Sequence, residues 1–154
     1  MTQTATKPQT QEIVVDEVFP HDPETVWKTL TTGALITRWM MEPAGFEPVV
    51  GNHFTYKTKP AGAWDGVIHC EVLEVVPNAR FAYAWRGGDD ENQGYGSKLD
   101  TLVTWTLTPV PGGTRLHLTH SGFVTPKNDT AFQNMSNGWR TVVERLRNTA
   151  NEGE

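Results

Sequence analysis

The residues with the widest chemical range in this chain fall on one short stretch, "TRLHLTHSGF" (114 to 123), which holds two histidines and a serine. An imidazole can donate, accept or change charge near neutral pH, so a histidine turned into an apolar interior can anchor a ligand or move a proton. Strand alternation gives Leu116, Leu118 and His120 one face and Arg115, His117 and Thr119 the other. His120 is therefore the inward-facing histidine and a weak catalytic candidate. Its alternative role is structural, bonded to backbone or to a neighbouring hydroxyl. His117 and His120 diverge on a strand, and Cys70 is the single cysteine, so the chain offers no zinc ligand set and no metal or cofactor is expected. The same alternation separates Ser121 from His120, and no Ser, His and Asp triad can be nominated. Cys70 lies in an apolar strand, where burial disfavours the reactive thiolate. The densest acidic stretch, "GGDDENQGYG" (87 to 96), reads as a flexible, solvated loop that could rim a cavity mouth rather than hold a catalytic carboxylate pair.

The elements that must position these groups follow from periodicity. "NHFTYKT" puts Phe54 and Tyr56 on one face, "RFAYAWR" does so with Phe81, Tyr83 and Trp85, and "TLVTWTLT" with Val103, Trp105 and Leu107. Turn chemistry in "PAGAWDG", "VPNA" and "VPGG" separates the segments and favours an antiparallel meander. "WDGVIHCEVLEVV" slips in its alternation near Glu71, which suggests a bulge. Ahead of this sheet, "EIVVDEVF" reads as a strand and "HDPETVWKTL" as a short helix with Asp22 as N-cap, Pro23 at its first position and Glu24 in its first turn. Gly33 is expected to break that helix before a second short piece, "ALITRWMM". A long helix is predicted from about Thr130 to Ala150, capped by Asn128 or Asp129. Its apolar stripe is Phe132, Met135, Trp139, Val142, Val143 and Leu146, and Arg140, Glu144 and Arg147 fall on the opposite face. The expected fold class is α+β: a curved antiparallel sheet whose aromatic face is covered by the long C-terminal helix, with two short helices after the first strand.

With 154 residues, 37% of them hydrophobic and 20% charged, the chain suits one domain. Residues 12–150 form that domain in this reading, with 1–11 a flexible N-terminal tail and 151–154 a C-terminal tail. A net charge of −5 with scattered basic residues argues against nucleic acid as a partner. No apolar run approaches the roughly 18 residues of a membrane span. "MTQTATKPQTQE" lacks the apolar centre of a secretory signal, so a cytoplasmic location is expected.

Several motifs together resemble the START-like (SRPBCC, helix-grip) superfamily, and within it the group related to the C-terminal domain of the activator of Hsp90 ATPase. They are "GVIHCEVLEVVPNARFAYAW", "VTWTLTPVPGGTRLHLTHSGF" and "GW" followed by "RTVVERL", preceded by "FPHDPETVWKTLTT" and "RWMMEP". The likeness spans roughly residues 12 to 148. It implies a helix-grip fold with a cavity between sheet and C-terminal helix. The superfamily includes small-molecule binders, lipid carriers, aromatic cyclases and co-chaperones, so fold alone does not assign function.

On this reading the cavity walls are Trp39, Phe54, Trp85, Trp105, Met135 and Trp139, with His120 as polar anchor and the phenols of Tyr56 and Tyr83 on the same face. Gly138 would let backbone or ligand approach, at a helix cost of about 1 kcal/mol. The expected function is binding of a small hydrophobic or aromatic molecule. One alternative is a cyclase- or hydrolase-like enzyme using the same cavity. Another is an Hsp90 co-chaperone-like interaction module, weakened by the lack of a sizeable second domain before residue 12.

Overall fold

In the computed structural model, which describes residues 10–152, six antiparallel strands form one sheet with three helices on its concave side. The chain order is β1 (Thr10–Phe19), α1 (Pro23–Thr31), α2 (Gly33–Trp39), β2 (His53–Lys57), β3 (Val67–Val76), β4 (Arg80–Gly87), β5 (Leu99–Val110), β6 (Gly113–Val124) and α3 (Asp129–Glu152). In space the strands run β1-β6-β5-β4-β3-β2. Strands β2 to β6 are therefore a plain meander of hairpins, as the Gly- and Pro-rich turns require. α1, α2 and the segment after them carry the chain from one edge of the sheet to the other.

β2, β4, β5 and β6 bury the face that alternation assigns to them. Phe54, Tyr56, Phe81, Tyr83, Trp85, Val103, Trp105, Leu116, Leu118 and His120 are all buried. The register places Trp85 opposite Thr101, Trp105 opposite Leu118 and Val103 opposite His120, so the aromatic rows of neighbouring strands interleave. α3 closes this face with Trp139, Val143 and Leu146 buried and Phe132, Met135 and Val142 partly so. Fully burying a side chain of this size contributes roughly 1.5–3 kcal/mol, which is why a helix of otherwise polar composition stays docked.

Local chemistry accounts for the ends of the elements. Asp22 Oδ1 accepts from Thr25 N at 2.8 Å and Pro23 takes the first turn of α1. The break after α1 falls at Thr32, whose backbone is extended, and Gly33 opens α2 rather than ending α1. The bulge in β3 lies between Val72 and Glu74, slightly beyond the predicted slip. β1 starts at Thr10, paired with Val124, so the last two residues of the predicted N-terminal tail belong to the sheet; residues 1–9 lie outside the described residues. Asn151 and Glu152 likewise extend α3, and 153–154 lie outside. Arg147 departs from the expected solvent face. Its Nη2 donates to Glu17 Oε1 and to Val18 O, each at 3.0 Å, and its guanidinium lies 5.1 Å from the Phe19 ring centroid, fastening α3 to β1. Among the described residues no helix is long and apolar enough to cross a membrane.

Candidate functional site

β6 directs His120 inward, beneath α3, where both ring nitrogens are taken. Trp139 Nε1–H donates to His120 Nδ1 at 2.9 Å, and His120 Nε2 lies 2.8 Å from Thr101 Oγ1. The Thr101 hydroxyl spends its hydrogen on Trp85 O at 2.7 Å, so it must accept from the imidazole. This chain of donors assigns the tautomer: Nε2 carries the proton and Nδ1 is the acceptor. Burial pushes the His120 pKa down to about 3, because a charged ring here would have no compensating partner. A second proton could enter only at Nδ1, against the Trp139 N–H. His120 is thus a neutral linchpin joining α3, β5 and β6, with no nitrogen free for a substrate.

The open space lies beside it. A pocket of about 320 Å³ sits between α3, the inner face of β3 and β4, the segment after α2 and the loops after β2 and β4. Of the residues expected to line a cavity, Trp85, Met135 and Trp139 do so. Trp39, Phe54, Tyr56, Tyr83, Trp105 and His120 are instead packed in the core, each with no more than 3% of its surface exposed. Trp39 and Trp105 meet edge to face at 5.7 Å, and Trp105 meets Trp139 at 5.6 Å, so these rings fill space behind the pocket. Trp105 Nε1–H donates to Tyr83 Oη at 3.2 Å, and burial raises the phenol pKa values of Tyr56 and Tyr83 well above the ordinary tyrosine range. The Cys70 thiol is also buried and its pKa is raised by desolvation, which keeps it protonated. Among the described residues no group of three or more His, Cys, Asp or Glu side chains could hold a metal ion.

Sequence reasoning missed the outer half of the pocket, which Met40, Met41, Trp64, Tyr95, Ser97 and Leu99 help to build. Trp64 offered a signal, being a large aromatic inside a turn-forming run, where packing of the meander does not call for one. The loop after β4 rims the pocket and is joined to its neighbours by side-chain hydrogen bonds. Asn92 Nδ2 donates to Ala61 O at 2.7 Å, Ala63 N donates to Asn92 Oδ1 at 3.0 Å, and Tyr95 Oη–H donates to Lys59 O at 2.8 Å, joining it to the loop after β2. Asn128 ties the same loop to the start of α3, its Nδ2 donating to Ser97 Oγ at 3.0 Å and Lys98 O at 2.9 Å. Gly88 makes the bend possible: its φ is +79°, and a Cβ there would lie 2.1 Å from Ser97 O.

Gly138 differs from the other glycines of the pocket. It sits inside α3, is exposed and borders the pocket, and a Cβ built on it would meet nothing within 4 Å beyond its chain neighbours and its own helix backbone. Neither backbone conformation nor packing within the chain calls for glycine at this point.

The model of the family described as "Activator of Hsp90 ATPase homolog 1-like protein" matches residues 20–151. No curated protein matches the chain. Among solved structures, protein MLL2253 from Mesorhizobium loti is 35% identical, with a TM-score of 0.79 over 94% of this chain and 99% of that one. The Aha1 dimer from Colwellia psychrerythraea is 18% identical, with a TM-score of 0.69 over 91% and 96% of the two chains. DynU16, a protein of the dynemicin biosynthetic locus, is 21% identical with a TM-score of 0.70; the likeness covers 93% of this chain and 48% of that one. The match over most of the chain, on a meander that grips a long C-terminal helix, places the protein in the activator of Hsp90 ATPase homologue 1-like family of the START-like superfamily.

Proposed function

We propose that the protein binds a small apolar or aromatic molecule in the pocket between α3 and the sheet. The observation that carries this reading is Gly138. A glycine in the middle of a helix costs about 1 kcal/mol relative to alanine, and here no protein atom takes up the space it leaves. A ligand lying against the helix backbone accounts for it. The pocket's volume of about 320 Å³ is near the lower end of the roughly 300–1,000 Å³ of small-molecule sites, which suits a compact ligand. Trp85, Trp139, Trp64 and three methionines supply rigid and adaptable apolar walls. The likeness in fold to a protein from a biosynthetic locus is in keeping with a small organic ligand.

A cyclase- or hydrolase-like role for His120 gains no support, because both its nitrogens are engaged and it stays neutral across the physiological range. Native mass spectrometry with acetylnaphthalene, a compact neutral aromatic, tests the binding reading. One saturable adduct per chain is expected for the wild type and not for Gly138→Phe, which adds a ring at the helix position that borders the pocket. Equal adducts on both proteins, or none on the wild type, would overturn it.

A further inference from the structure

Four tryptophans are almost wholly buried: Trp39, Trp85, Trp105 and Trp139. A buried indole N–H ordinarily finds an acceptor, because leaving it bare forfeits its hydrogen bond to water. Three comply: Trp39 donates to Thr29 O at 3.0 Å, Trp105 to Tyr83 Oη at 3.2 Å and Trp139 to His120 Nδ1 at 2.9 Å. Trp85 does not; its Nε1–H has no acceptor among the described residues, although only 2% of its surface is exposed. Nor is that nitrogen among the unpartnered side-chain atoms sealed from solvent, so it reaches open space, and the open space that Trp85 borders is the pocket.

The other polar groups of the pocket differ in kind. Trp64 Nε1–H is spent on Val67 O at 3.0 Å and the Tyr95 hydroxyl on Lys59 O at 2.8 Å. Thr58 and Asn134 are exposed, where water competes for them on equal terms, and the buried Ser97 hydroxyl already accepts from Asn128 Nδ2 at 3.0 Å. No Asp, Glu, Lys, Arg or His side chain lines the pocket, so an ionic group drawn into it would lose its hydration without gaining a countercharge.

We infer that the pocket selects an uncharged aromatic ligand bearing a hydrogen-bond acceptor, such as a carbonyl or ether oxygen, and that Trp85 Nε1–H is the donor that receives it. This rests on the ligand-binding reading of the pocket and adds to it the ligand's charge, its polar handle and the residue that reads the handle. The aromatic part lies against Trp85 and Trp139, whose ring centroids are 6.0 Å apart, and reaches the helix at Gly138.

The test is a calorimetric cycle with acetylnaphthalene and ethylnaphthalene, which differ in the carbonyl oxygen, measured on the wild type and on Trp85→Phe. Removing one neutral hydrogen bond should lower the acetyl-to-ethyl affinity ratio about tenfold in the variant. Ethylnaphthalene binding by the variant shows that the pocket itself survives the change. A second readout needs no substitution: in the wild type the Trp85 indole N–H proton resonance should move downfield with acetylnaphthalene and not with ethylnaphthalene. Naphthoate should bind at least tenfold more weakly than acetylnaphthalene at neutral pH. If both neutral probes bind but the ratio and the resonance are unchanged, the donor role falls while the pocket reading stands. Naphthoate binding as tightly as the ketone would overturn the selection for neutral ligands. Failure of every probe to bind the wild type would overturn the pocket reading and this inference with it.

Discussion

Trp139 gives its indole hydrogen to His120 Nδ1 at 2.9 Å, and this one bond joins the middle of the C-terminal helix to the centre of the sheet. The same tryptophan borders the pocket, so it belongs both to a solid core and to a hollow beside it. Trp139→Phe keeps most of the packing but leaves His120 Nδ1 a buried acceptor without a donor. Stability should fall by about 1–3 kcal/mol in urea unfolding.

The depressed pKa of His120 makes the fold sensitive to mild acid. The unfolded chain takes up a proton near the ordinary value of 6.5, whereas the folded chain does so only near 3. The unfolded state therefore holds more protons between these values, and stability declines as pH falls through that window. By pH 5 the loss should reach about 2 kcal/mol relative to pH 8. Urea unfolding at the two pH values checks this, and His120→Gln should abolish most of the difference. Asp16 acts in a separate window: hydrogen bonds from Arg115 and His117 hold its carboxyl well below the usual carboxylate range. Its stabilising contribution is present above the unfolded value of 3.8 and is lost only as pH falls below that value.

Gly138→Ala separates stability from binding. The new methyl group meets nothing within 4 Å beyond its chain neighbours and its own helix backbone, and the helix gains propensity, so the thermal midpoint should rise, by up to about 1 kcal/mol in free energy. Affinity for acetylnaphthalene should fall in the same variant.

At Gly88 the outcome should be the reverse. With φ at +79° and Ser97 O only 2.1 Å from an added Cβ, Gly88→Ala forces the rim loop to move. A loss of about 1–3 kcal/mol in stability, together with weaker binding, is expected from parallel unfolding and titration experiments.

Alternation placed the large inward side chains of β2, β4 and β5, and those of β6 as far as His120, because a residue that misses the core face of a two-layer fold exposes apolar surface to water; Phe123, buried out of step with it beyond a register shift, was not placed. It also oriented His120 correctly. What alternation does not encode is depth. Tyr56, Tyr83 and Trp105 face inward as far as periodicity can say, yet neighbouring rings fill the space in front of them, and the pocket opens instead where α3, Trp85 and the two loops diverge. The rim was the least legible part. Asn92 and Asn128 hold it through bonds to Ala61 and Ser97, each spanning 31 residues of chain, and such distant pairings leave no local pattern. Arg147 shows the same limit on a helix: its angular position predicts solvent, but its long stem reaches β1 and lies over Phe19.

The most direct test of the account is a calorimetric titration of acetylnaphthalene into the wild type and Gly138→Phe side by side, with unfolding curves confirming that both are folded. The account predicts saturable one-to-one binding by the wild type and an affinity at least tenfold weaker in the variant. Equal affinity in the two proteins, or no saturable heat with the wild type, would contradict it.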